Sequence, residues 1–258
     1  MTAIHPTAII HSGAELDTSV RVGPYSVIGA GVRVDSETEI GSHVVIDGPT
    51  TIGKNCRFFS FASIGQIPQD LKFHGEKSEL VIGDENTFRE FVTFHRGTEG
   101  GGRKTLVGNN NFFMAYAHVA HDCKIGSHVI MANAATLAGH VTVEDHSIIG
   151  AFSGIHQFCR VGKYGFIGGY SVITKDVLPY SKTVGNRAKC YGLNAIGLRR
   201  KGFDEHTIQK IKHAFRLLLQ SKLNTRRALE AISQEVPLIE EITYLVDFIK
   251  SSPRGIIK

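Results

Sequence analysis

The chain has 258 residues, 42% hydrophobic and 21% charged, with a formal net charge of +5. That composition describes one large globular unit, alone or with a smaller companion, and no run approaches the roughly 20 apolar residues of a membrane span. Four cysteines (Cys56, Cys123, Cys159, Cys190) form no CxxC pair, which argues against structural zinc.

Aliphatic or Phe residues recur every six positions from Ile4 through Val22, Ile40 and Phe58 to Ile64. Small or β-branched residues fall four places later, among them Ser26, Val44, Cys56 and Ala62. Cys123 and Cys159 fall in the same small-residue slot further on. Residues 66–79 break the pattern with Pro68, Asp70 and Gly75, and read as a loop. The repeat resumes in phase at Ile82, Phe88 and Phe94, breaks again over residues 97–104 with a shift of seven, then runs from Val107 to Ile173.

A period of six matches neither a helix nor a simple strand. It fits a solenoid of short strands and turns, three sides to a coil, in which residues 18 apart stack at about the 4.8 Å strand spacing. The aliphatic residue points inward, and Gly or Asn is expected at corners that need unusual backbone angles. The hexads resemble the hexapeptide-repeat family. That resemblance implies a mainly β fold, a left-handed parallel β-helix over residues 1–185, with a connector and small α-helical cap over 186–258. Within the cap, Asp204 is expected to start a helix over about Glu205–Ser221. Thr225 is expected to start a second, and a third ends before Pro253. Residues 180–258 carry 15 Lys/Arg against 7 Asp/Glu, which suits an anionic partner. Nucleic acid is disfavoured, because no basic run interleaves with aromatics.

Chemistry concentrates in His118-Val119-Ala120-His121-Asp122. On an 18-residue coil His121 precedes Gly139, next to His140, and then Gln157, next to His156, so His121, His140 and His156 are expected along one edge. Three histidines could bind metal or move protons. Spread over three coils they span roughly 10 Å, too far for one ion within a chain. The expectation is therefore no metal and no cofactor, with His121 as general base, Asp122 orienting it and a backbone N–H such as that of Gly139 as oxyanion donor.

Ala117-His118-Val119-Ala120-His121-Asp122, Leu137-Ala138-Gly139-His140-Val141, Ile155-His156-Gln157-Phe158-Cys159, Gln69-Asp70-Leu71-Lys72, Phe94-His95-Arg96-Gly97-Thr98 and Gly192-Leu193-Asn194 together resemble the UDP-N-acetylglucosamine acyltransferases that begin lipid A synthesis. The likeness covers essentially the whole chain. It implies a cytoplasmic homotrimer, without stable membrane insertion, that moves an (R)-3-hydroxyacyl chain from acidic acyl carrier protein to the 3-hydroxyl of UDP-N-acetylglucosamine. It assigns catalysis to His121, Asp122 and Gly139, and substrate binding to Gln69, Asp70, Lys72, His95, His118, His140, His156, Gln157, Asn194 and Arg200. Gly169 matches the position that limits acyl length. The chain departs from the family at Ile196, where an acidic residue is usual, at Lys201 for Arg and at Arg187 for His. The alternatives are a metal-dependent, carbonic anhydrase-like enzyme on the same fold and a non-catalytic trimeric scaffold.

Overall fold

A computed structural model describes residues 3–258. Each hexad becomes a strand of two residues, or a few more, followed by a turn, as at Val27–Ile28, Ile130–Met131 and Ile148–Ile149. In each of these the second residue is buried, because side chains alternate along a strand and only one face meets the core. The strands form three sheets of eleven, nine and eight strands, and along the coils the pairing is parallel with spatial neighbours three strands apart in sequence. The coil is a left-handed parallel β-helix.

Register confirms the coil length. His118 pairs with Thr136, 18 residues on. Across the first loop Arg57 pairs with Thr87, and across the second Thr93 pairs with His118. Both breaks are insertions that leave the prism and rejoin it with the inward set unchanged. A slip of one residue would have turned the apolar set outward.

The core is continuous along the axis. Phe58, Phe88 and Phe113 stack at 4.6 and 5.0 Å, and Phe94 meets Phe88 edge-on at 5.0 Å. Cys56, Cys123 and Cys159 are fully buried. Burial pushes their thiols up to about 11, 12 and 11, so they are protonated and unreactive.

The corners differ from expectation. Left-handed backbone falls mostly on residues with side chains, including Tyr25, His43, Phe61, Phe91 and Tyr116. These five rings stack in one ladder at 4.9–5.1 Å, and ring stacking offsets part of the cost of positive φ. The glycines after the aliphatic residues answer another need, close approach between coils. A Cβ on Gly23 would meet the Gly41 carbonyl at 2.7 Å, and one on Gly41 the Phe58 oxygen at 2.8 Å.

Beyond the last coil, Ser181–Val184 and Lys189–Leu193 form an antiparallel hairpin on the edge of the eleven-stranded sheet. Four helices follow: α1 Ala195–Arg200, α2 Glu205–Leu219, α3 Thr225–Glu235 and α4 Glu240–Lys250. The short α1 was not expected. Asp204 caps α2 through the Thr207 N–H at 2.9 Å, as anticipated. For α3 the cap is Asn224, not Thr225, and it accepts from the Arg227 N–H at 2.9 Å. The chain end returns to the prism: the Ile257 N–H donates to the Asp176 carbonyl, and Ile257 joins the core.

Candidate active site

The corner between the nine- and eight-stranded sheets carries Ala120, His121 and Asp122. Asp122 takes left-handed backbone, φ 60°, and so do His140 and Phe158 one and two coils later, at 61° and 64°. These three make one column. His121, Gly139 and Gln157 make the adjacent one. The coils between them are held by the His140 N–H donating to the His121 carbonyl at 3.0 Å and the Phe158 N–H to the Gly139 carbonyl at 3.3 Å.

His121 Nδ1 lies 2.7 Å from Asp122 Oδ2. The carboxylate is fully buried and the imidazole 13% exposed. Asp122 accepts two more bonds from Thr98, whose N–H meets Oδ1 at 2.8 Å and whose hydroxyl meets Oδ2 at 2.6 Å. Burial works to raise the carboxyl, but the bonds from His121 and Thr98 outweigh it and hold Asp122 below the ordinary carboxylate value. An ionised Asp122 accepts a hydrogen bond from Nδ1–H, and Nε2 of His121 then carries the free lone pair.

Gly139 is shaped by the same ring. A Cβ there would meet His121 Cε1 at 2.5 Å and Nε2 at 2.7 Å. The imidazole therefore rests on the Gly139 backbone. Among the described residues, no acceptor pairs with the Gly139 N–H, so it is free for a ligand beside the base.

His140 stacks on Phe158 at 4.5 Å, with Nε2 at 3.7 Å from Asp122 Oδ2. Burial depresses its basicity, and the neighbouring Asp122 and Asp70 charges partly restore it. The first loop folds over this column. Asp70, Lys72, His74 and Glu76 join Thr98, His140 and Phe158 around an open hollow of about 770 Å³. Glu76 links the two insertions by accepting the Glu99 N–H at 3.2 Å.

Other expected residues stand differently. His95 and His118 lie on the nine-stranded sheet, edge to face at 5.2 Å, with His118 Nδ1 at 2.7 Å from the Thr93 hydroxyl. Burial and the charges of His118 and His121 lower His95 to about 4, and burial lowers His118. His156 lies on the same edge as His121 and His140 but in a different column. It occupies the column before His121, is exposed, and its Nδ1 faces its neighbour's carbonyl at 3.1 Å. Gln157 shares the His121 column but is exposed, as is Gln69 at the loop entrance.

Asn194 is engaged structurally. It caps α1 through the Gly197 N–H at 3.2 Å and donates to the Tyr164 carbonyl at 3.3 Å. Arg200 is exposed at the end of α1. Asn194 lies by the corner of Tyr164, and Gly169 by that of Tyr170. Within one chain, these are the other two edges of the prism.

Distance alone does not exclude a metal within one chain. His121, Asp122 and His140 present donor atoms within 4.8 Å of one another, because consecutive coils are close and only His156 is remote. Chemistry argues otherwise: both Asp122 oxygens are already taken by Thr98 and His121. Sequence reasoning overlooked Thr98, Phe158 and Glu76. Only the position of Thr98 at the start of the second break in the repeat signalled it.

Known proteins align with the chain along its whole length. A family model described as "Udp N-acetylglucosamine O-acyltransferase; Domain 2" matches residues 176–257, and one described as "Bacterial transferase hexapeptide (six repeats)" matches residues 104–139. The acyl-[acyl-carrier-protein]--UDP-N-acetylglucosamine O-acyltransferase of Thermodesulfovibrio yellowstonii is 49% identical over 258 residues, all of both chains. Solved structures of UDP-N-acetylglucosamine acyltransferases from Bacteroides fragilis and Moraxella catarrhalis superpose with TM-scores of 0.96 and 0.95. They are 43% and 42% identical and cover 98% and 99% of this chain, and 99% and 100% of their own.

Proposed function

Because this chain belongs to the acyl-[acyl-carrier-protein]--UDP-N-acetylglucosamine O-acyltransferase family, we propose that the corner of His121, Asp122 and Gly139 is where it performs that family's reaction. The enzyme moves an acyl chain from acyl carrier protein to UDP-N-acetylglucosamine, the first step of lipid A synthesis. The observation that carries the site is the His121–Asp122 pair at 2.7 Å, seated on Gly139, with its neighbours His140 and Thr98 lining the loop-covered hollow.

In this reading the sugar 3-hydroxyl approaches Nε2 of His121. Nε2 takes its proton as the oxygen attacks the thioester carbonyl of an (R)-3-hydroxyacyl carrier, while Nδ1–H stays on Asp122 and stabilises the imidazolium. The oxyanion points at the Gly139 N–H. Collapse breaks the C–S bond, and His121 returns the proton to the departing thiolate. Transfer is direct, since the nearby Cys123 is a buried, protonated thiol. Asp70, Lys72, His140 and Gln157 receive the substrates from the open side, and His95 and His118 back the wall.

Gly169 and Asn194 act in this scheme from other edges of the prism, which supports a cyclic homotrimer whose sites lie between prisms. The basic surface near Arg200 and Lys201 suits an acidic carrier and would speed its encounter. No helix among the described residues is long and apolar enough to cross a membrane. Both substrates support a cytoplasmic reading.

The test is a transfer assay with UDP-N-acetylglucosamine and a series of 3-hydroxyacyl carriers. The wild type should form the 3-O-acyl product, and His121→Ala should lose roughly 10²–10⁴-fold in rate. Intact transfer in the variant would remove the general-base assignment.

A further inference from the structure

The second break in the repeat has a specific product. At Gly97 the chain leaves the prism, makes the 3-10 turn Glu99–Gly101, and rejoins a strand at Lys104. Its neck is tight: the Arg103 N–H donates to the Thr98 carbonyl at 2.7 Å. Thr98 sits at the cap position of the 3-10 turn, where a threonine hydroxyl ordinarily bonds its own turn. Here it makes no such bond. Both Thr98 donors go instead to Asp122, the N–H to Oδ1 and the hydroxyl to Oδ2. Thr98 is 5% exposed, and at Gly101 an added Cβ would overlap the Asp122 carboxyl carbon. The loop thus lies directly on the carboxylate and keeps water from it.

We propose that Thr98 is a positioning residue for the transfer reaction, holding the Asp122 carboxylate so that Oδ2 meets Nδ1 of His121. This rests on the function proposed above for the same corner. A carboxylate with one partner can rotate about its Cβ–Cγ bond and offer either oxygen. One gripped at both oxygens has a single orientation, and His121 inherits it. Thr98 lies 24 residues before Asp122, off the 18-residue spacing of stacked corners, so a regular hexad cannot place it there. An insertion can.

The experiment compares Thr98→Val, which keeps shape and N–H but removes the hydroxyl, with Thr98→Ser, which restores it. Full-length protein is assayed for transfer with UDP-N-acetylglucosamine and a 3-hydroxyacyl carrier. Thr98→Val should lower kcat roughly ten- to hundred-fold, the scale of one hydrogen bond to a charged group, with KM little changed. Thr98→Ser should recover most of it. Added to Asp122→Asn, Thr98→Val should cost nothing further, because its effect runs through that carboxylate. The downfield imidazole N–H resonance of His121, read in histidine-labelled protein without substrate, should move in Thr98→Val and return in Thr98→Ser. Wild-type kcat with an unmoved resonance, or losses that multiply in the double variant, would overturn the proposal. If the wild type transferred no acyl group to this sugar nucleotide, the proposed function would fail while the resonance still decided the role of Thr98.

Discussion

The His121 imidazole lies on the Gly139 backbone so closely that a Cβ at position 139 would come within 2.5 Å of Cε1. One coil of the solenoid therefore supplies the imidazole and the next supplies its seat. Gly139→Ala must displace the ring, with the prism left intact, since the contact is with a side chain at the surface of a corner. Transfer should fall on the order of 10²-fold, the cost of misplacing a catalytic group by about 1 Å. Circular dichroism and oligomer size should match the wild type. Full activity in Gly139→Ala would mean that the ring has another working position.

Burial of His95 makes stability depend on pH. Its basicity falls from 6.5 to about 4, so between those values the unfolded chain binds the proton and the folded chain does not. Stability from this group is complete above 6.5 and declines as pH falls toward 4. His95→Asn should flatten that slope. Urea midpoints measured from pH 4 to 7 check it, and an unchanged slope would show that His95 is protonated in place.

Gly169 is exposed at its corner, and a Cβ there would approach the Ala151 oxygen at 3.2 Å, a contact that small shifts relieve. A larger side chain is therefore accommodated and would project outward. If this position limits acyl length, Gly169→Met should shift preference toward shorter carriers with little change in thermal stability. A preference identical to wild type over the same carrier series would dismiss the ruler.

The cluster of His121, Asp122 and His140 has ligand-like spacing, but an ion would have to displace the His121 and Thr98 protons that already bond Asp122. Chelator treatment should leave the initial rate unchanged. Stoichiometric bound zinc with chelator-sensitive transfer would replace the acid–base reading with a metal-assisted one.

Much of this molecule was legible along the chain because a solenoid is built from local, repeated decisions. The inward aliphatic residues, the buried cysteine slots and both insertions could be located by counting sixes. His121, Asp122 and Gly139 could be placed together by counting eighteens. Counting failed where one position mattered. His156 falls a single place before the His121 column, and there it is exposed and faces the Gln157 carbonyl. The corner conformation was also misread: the aromatic ladder from Tyr25 to Tyr116 gains its support from residues 18 or more away, and no short window contains that.

The sequence by itself determined the prism, its breaks, the acid–base pair and the helical cap, since hexad period, helical period and capping residues each act within a few neighbours. Only the tertiary structure decided that Thr98 grips Asp122, that His140 rather than His156 shares the carboxylate, that Asn194 is spent capping α1, and that Gly169 stands on another edge. These are contacts between segments, set by how an insertion folds back and by which edge faces outward. Residue spacing cannot encode them, because chain leaving the lattice no longer obeys its period.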